Sequence, residues 1–129
     1  MLNSLLRFAP ILLLLVYGCV QRIDVNKYFD RTAPFSVSVT DTLKKETTTY
    51  VVNPNTSKYT RFTNWLESNQ DGWQKSPASY IGDIMVKQKG FTLLRLRSRG
   101  VMVSFPDNSV KSLQYTKNCD KEDLDFLRH

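Results

Sequence analysis

Residues 80–106 decide the fold, and they read YIGDIMVKQKGFTLLRLRSRGVMVSFP. Three runs rich in apolar and β-branched residues follow one another here, and short turns separate them. The runs are Tyr80–Lys87, Phe91–Arg97 and Val101–Phe105, and the turns fall at Lys89-Gly90 and Arg99-Gly100. Because glycine-containing turns between short apolar runs are typical of hairpins, this stretch predicts an antiparallel meander.

The flanking sequence predicts further strands. Phe35–Thr40 alternates strictly between apolar and polar residues, and Thr47–Val52 is rich in β-branched residues. Val110–Thr116 follows a strong turn signal that begins at Pro106. Alternation and β-branching are both typical of half-buried strands, so these three segments are expected to extend the meander.

Helical patterning appears in Ser57–Asn69, where Tyr59, Phe62 and Leu66 recur at helical spacing. Asp120–Arg128 carries acids near its start and Arg128 at its end, as a helix dipole favours, and predicts a short C-terminal helix. Residues 34–129 are therefore predicted to form a single α+β domain. It would consist of a small antiparallel sheet of about five to six strands with one amphipathic helix packed on a face.

A segment with the features of a secretory signal precedes this domain. Within residues 1–18, Arg7 stands before an apolar core, Phe8–Val16, and no acid occurs. A membrane-spanning helix needs roughly 20 apolar residues, so the core is too short to cross a bilayer comfortably. The order of a cation followed by a short apolar core predicts an export signal.

The end of this segment, Val16-Tyr17-Gly18-Cys19, resembles the lipobox of bacterial lipoproteins. The resemblance implies cleavage before Cys19 and attachment of lipid to its thiol, with residues 19–33 as a lipidated cysteine and tether. Since Val20 rather than aspartate follows Cys19, it also implies the outer membrane rather than the inner, with the domain facing the periplasm. The residues alone leave open an ordinary signal peptide with an incidental Cys19, an uncleaved anchor, or a buried apolar helix.

The charged residues are distributed unevenly. Removal of residues 1–18 takes away only Arg7, which leaves 17 basic and 12 acidic residues. The stretch 84–106 contains no acid and five cations, which are Lys87, Lys89, Arg95, Arg97 and Arg99. The three arginines alternate, so a continuous strand would place them on one face, where like charges repel unless an anion meets them. We expect these five residues to bind an acidic protein or an anionic envelope polymer; the alternative is a solvated outer face.

Residues suited to catalysis or to binding a cofactor are few. The chain has one histidine, His129, at its C-terminus, and lipidation of Cys19 would leave Cys119 as a lone thiol. A helix starting after Cys119 would lower its pKa, although a small buried side chain is the alternative. Trp65 and Trp73 flank the end of the predicted helix and are expected to fill the core rather than to anchor a partner. The sequence predicts no catalytic residue, no metal, no cofactor and no contact with nucleic acid.

These observations lead to a functional hypothesis. We expect a lipid-anchored envelope protein that binds without catalysis, of the type represented by immunity and inhibitor proteins. One alternative is a structural accessory of a secretion, conjugation or envelope-assembly complex, docked through a sheet edge. The other alternative is a cell-wall hydrolase, which would need a cleft with convergent polar groups.

Overall fold

A computed structural model describes residues 20–106 and 112–129. Within these ranges the chain forms seven strands, one α-helix and two short 3₁₀ turns. The strands are β1 (Phe35–Asp41), β2 (Glu46–Val52), β3 (Gln74–Lys75), β4 (Gly82–Gln88), β5 (Phe91–Leu96), β6 (Val101–Pro106) and β7 (Ser112–Lys117). The helix α1 covers Ser57–Ser68, and the 3₁₀ turns cover Val25–Lys27 and Asp125–Arg128. The predicted α+β class is confirmed. The signal segment, Cys19 and residues 107–111 lie outside the described residues.

All seven strands belong to one antiparallel sheet with the order β2-β1-β4-β5-β6-β7-β3. The meander predicted from residues 80–106 is present as β4–β5–β6 and continues into β7. The strand count exceeds the predicted five to six because β3 was missed. Its two residues pair with the last strand, Gln74 with Thr116 and Lys75 with Tyr115.

Helix α1 packs on one face of the sheet and closes the core. Thr56 caps the helix, because its hydroxyl oxygen accepts a hydrogen bond from the amide of Tyr59 at 3.3 Å. The apolar side chains at helical spacing point inward, and Phe62 packs against Phe35 of β1 with ring centroids 4.8 Å apart. Both tryptophans are buried, which confirms the expectation that Trp65 and Trp73 belong to the core.

Residues 20–33, which were expected to form a tether, are part of the folded domain. The backbone of Gln21 pairs with that of Trp73 through hydrogen bonds of 2.7 and 3.1 Å. Val25 and Phe29 are buried, and the ring of Phe29 lies 5.5 Å from that of Phe91. The tether prediction failed because these apolar residues follow no helical or strand period, and only the tertiary fold shows where they pack.

The C-terminal segment forms turns rather than the predicted helix. Only Asp125–Arg128 is helical, and it is a 3₁₀ turn. Leu124 and Leu127 are fully buried, and their spacing of three residues matches the three-residue period of a 3₁₀ turn. The segment therefore covers one end of the core with a single tight turn.

The connection from β3 to β4 crosses the sheet face opposite α1. The side-chain amide of Gln114 donates to the carbonyls of Ser76 and Ala78 on this connection, at 2.9 and 2.6 Å. The crossing explains why Leu94 and Met102 are buried although they lie on the face away from the helix. It ends at Ile81, whose side chain is exposed next to the start of β4.

Candidate functional site: the basic end of the sheet

Arg95, the first arginine of the predicted row, is buried. It is only 8% exposed and lies on the helix-facing side of β5. Its guanidinium donates two hydrogen bonds to the carboxylate of Asp83, from Nε at 3.1 Å and from Nη2 at 2.9 Å. Its Nη1 donates to the carbonyl of Lys121 at 2.6 Å and to the carboxylate of Asp125. Arg95 thus holds the C-terminal segment to the sheet and is not available to a partner.

Arg128 completes a four-residue ionic network by pairing with both Asp83 and Asp125. Burial would raise the pKa of Asp83, but the hydrogen bonds from Arg95 and Arg128 outweigh it, and the pKa is lowered. The hydrogen bond from Arg95 lowers the pKa of Asp125 as well. Sequence reasoning missed both carboxylates. Asp83 immediately precedes the acid-free stretch, but its pairing with Arg95 depends on the β4–β5 register.

The other two arginines of the row do not lie on a strand. Strand β5 ends at Leu96, so Arg97 and Arg99 lie in the turn that leads to β6. Gly100 permits this turn because it adopts a φ of +108°. Both arginines are exposed, and neither side chain forms a hydrogen bond or an ion pair with the residues whose positions are described. The expected row of three on one face is therefore wrong: Arg95 is buried in the fold, and Arg97 and Arg99 are exposed with no ion pair among the described residues.

The two predicted lysines lie at the opposite end of the sheet. Lys89 occupies the β4–β5 turn, where it pairs with Asp30 at 3.1 Å. Lys87 is exposed near the end of β4 and stands beside Ser36 of β1. Strand β5 has six residues and separates the two turns by roughly 20 Å. The five predicted residues therefore do not converge on one site.

The end of the sheet with Arg97 and Arg99 is nevertheless rich in cations, and we call it the basic end. It comprises the β1–β2 turn (residues 42–45), the β5–β6 turn (residues 97–100) and the start of the C-terminal segment (residues 118–122). Its cations are Lys44, Lys45, Arg97, Arg99 and Lys121, and the acids in the same ranges are Asp120 and Glu122. The three ranges are adjacent, because Thr42, Arg97, Arg99, Cys119 and Lys121 all line one cleft of about 340 Å³.

Cys119 lines this cleft but is not an activated thiol. It is partly buried, and burial raises its pKa, with a further increase from the charge of Asp123. The expected lowering by a helix N-terminus does not occur, because no helix begins at Asp120. Cys119 is thus mainly in the protonated form at neutral pH, the form that reacts slowly as a nucleophile.

The chemistry available at the basic end is that of anion binding. Guanidinium and ammonium groups outnumber the carboxylates in the three ranges that define it, and His129 lies outside these ranges. Within 20–106 and 112–129, no group of three or more histidine, cysteine or acidic side chains is arranged to hold a metal. Helix α1 is too short and too polar to cross a membrane, as is every other helix in the part of the chain that the structure describes.

Comparison of the chain with protein-family models, with curated proteins and with solved structures gives no match.

Proposed function

We propose that this chain is an exported, lipid-anchored envelope protein that binds an anionic partner without catalysis. One observation carries the binding half of the proposal: Arg97 and Arg99 are exposed and have no counter-ion among the described residues. Two cations close together repel each other, and a bound anion would relieve this repulsion. The lipobox-like Val16-Tyr17-Gly18-Cys19 supports the anchor, which would be attached to Cys19.

A role as an immunity or inhibitor protein fits this surface. Such proteins act by covering a target enzyme, so they need an exposed complementary patch and no catalytic groups. Arg97 and Arg99 would carry the contact. Arg95, in contrast, would not contact the partner; its hydrogen bonds to Asp83 and to the carbonyl of Lys121 would hold the C-terminal segment beside the β5–β6 turn.

The first test is the intact mass of the protein extracted from its native membrane. A mass equal to residues 19–129 plus acyl chains would support the anchor. A full-length, unmodified mass would refute the lipoprotein half of the proposal, because it would show that Cys19 is neither cleaved nor acylated.

The second test is capture of envelope components by the protein in which Arg97→Glu and Arg99→Glu are combined. We expect this variant to lose partners that the wild type retains. The matched control combines Lys27→Glu and Lys87→Glu, which makes the same change in charge with exposed residues away from the basic end. Equal loss in both variants would show a general charge effect and would refute a binding role for the basic end.

One observation favours the alternative of a structural accessory protein. Strand β2 is an edge strand of seven residues, and the side chains of Thr47, Thr48 and Thr49 are exposed. An unpaired edge can accept a further strand from another protein. Capture of several membrane components that survives reversal of Arg97 and Arg99 would support this alternative.

A further inference from the structure

The first described residues are held to the domain by backbone hydrogen bonds. The amide of Gln21 donates to the carbonyl of Trp73, and that of Ile23 donates to the carbonyl of Gln70, at 2.7 and 2.8 Å. Only Val20 lies between Gln21 and Cys19. Two peptide units span at most about 7.6 Å between Cα atoms, so a lipid on Cys19 would hold this part of the domain against the bilayer.

Gln21 lies at the same end of the sheet as Arg97 and Arg99. Trp73 immediately precedes β3, and Gln74 of β3 pairs with Thr116 near the end of β7. The next residue of β7, Lys117, pairs with Val101, which follows the β5–β6 turn. A second cleft, of about 400 Å³, is lined by Gly72, Lys117 and Arg99 together.

Exposed apolar side chains are also spread along this end of the sheet. Four large apolar residues are strongly exposed in the part of the chain with described positions, and three of them lie here. These are Val20 beside the anchor point, Ile81 at 69% exposure and Leu43 at 94% exposure. Leu43 occupies the β1–β2 turn between the basic end's Thr42 and Lys44, and the carbonyl of Ile81 accepts a hydrogen bond from the amide of Arg97 at 3.2 Å.

We propose that the anionic partner of the basic end is the surface of an anionic lipid bilayer. Leu43 and Ile81 enter the boundary between headgroups and acyl chains, and Arg97 and Arg99 contact the headgroup phosphates. This inference rests on the proposed function, because the lipid on Cys19 brings the bilayer to this end. Apolar residues flanked by cations are the pattern of interfacial membrane binding.

The geometry favours a bilayer over the acidic target enzyme of an immunity or inhibitor protein, so these two roles for Arg97 and Arg99 are alternatives. A protein bound at the basic end would have to fit between the domain and the membrane that holds Cys19. Four acids lie at or beside the basic end, one fewer than its five cations. The carboxylate of Asp41 accepts hydrogen bonds from the amides of Leu43 and Lys44 and so shapes the turn, whereas Glu46, Asp120 and Glu122 stand among the cations.

The test places a tryptophan at each end of the sheet. Leu43→Trp and Val51→Trp are introduced separately into the full-length gene, and the protein made in bacteria is reconstituted into phosphatidylglycerol vesicles with brominated acyl chains. Bromine quenches tryptophan emission only at close range. We expect L43W to lose emission and to shift to the blue, whereas V51W stays unquenched. Val51 is a matched control because it is also exposed, at 62%, but lies near the opposite end, next to the Val52–Phe35 pair.

The native Trp65 and Trp73 are buried and give the same background in both variants. Emission of L43W that the brominated lipids do not reduce, or equal quenching of L43W and V51W, would overturn the inference. A shift of L43W to the blue without quenching, when an envelope extract is added, would also overturn it and would indicate a protein partner. The intact mass of each sample separates the two proposals. An acylated protein with unquenched L43W refutes only the docking, whereas an unmodified protein with quenched L43W refutes only the anchor.

Discussion

Replacement of Arg95 by methionine is the sharpest test of the ionic network. The change keeps a long apolar stem and removes the guanidinium that bridges Asp83, Asp125 and the carbonyl of Lys121. Breaking a buried ion pair by removing one partner typically costs 3–5 kcal/mol. Because Arg128 still pairs with Asp83, we expect the lower part of that range, about 3 kcal/mol of unfolding free energy.

Urea unfolding at neutral pH measures this loss. For a small protein the free energy falls by about 1–3 kcal/mol per molar urea, so the midpoint of Arg95→Met should fall by about 1–3 M. The control is Arg97→Met, which removes an exposed arginine two residues away. Its free energy of unfolding should stay within about 0.5 kcal/mol of the wild-type value, as is usual for surface positions.

The difference in stability between the wild type and Arg95→Met should depend on pH. The folded-state pKa values of Asp83 and Asp125 lie below the ordinary value of 3.8. A carboxylate of this kind stabilises the fold above its unfolded pKa, and the contribution is lost as pH falls through the folded value. The two midpoints should therefore approach each other below about pH 4. A variant as stable as the wild type at neutral pH would refute the buried network and would make Arg95 a candidate for partner binding again.

Two further substitution or labelling experiments test other features of the basic end. Gly100→Ala should destabilise the fold by about 1–3 kcal/mol in urea, because φ is +108° and the added Cβ would meet the backbone of Lys117. Gly72→Ala should lower the stability less. Its φ of +85° is also strained for alanine, but the added Cβ would meet only the Lys117 side chain, at 3.5 Å. Equal losses of stability in the two variants would contradict the close approach at Gly100. Cys119 should react with iodoacetamide at neutral pH more slowly than glutathione does, because burial raises the pKa of its thiol. If the native protein were labelled as fast as the urea-unfolded protein, that burial would be contradicted.

The strands and the helix were predictable because their signals are local. Turn glycines at Gly90 and Gly100 separate β4, β5 and β6, and the spacing of Phe62 and Leu66 is helical. Strand β3 carries no such signal. Its two polar residues become a strand only because β7, about 40 residues later, offers an edge with which to pair. Long-range pairing of this kind leaves no periodicity in the sequence.

The candidate site could be predicted only in part, for two physical reasons. Alternation of Arg95, Arg97 and Arg99 implies a common face only if the strand continues, and β5 ends at Leu96. Burial of Arg95 depends on Asp125, which lies 30 residues further along the chain. The same limit applies to Phe29, which is buried against residues from distant elements and carries no pattern of its own. Exposure of Arg97 and Arg99 was correctly expected.

Both ends of the described chain contribute to the same core, and this affects when the domain can fold. Val25 and Phe29 near the start, and Leu124 and Leu127 near the end, are all buried in it. A nascent chain that lacks residues 124–128 therefore lacks part of the core and one of the two arginines that pair with Asp83. Completion of the fold must therefore wait until residues 124–128 have been synthesised. If the chain is exported unfolded, as we propose, this delay would keep it open for translocation.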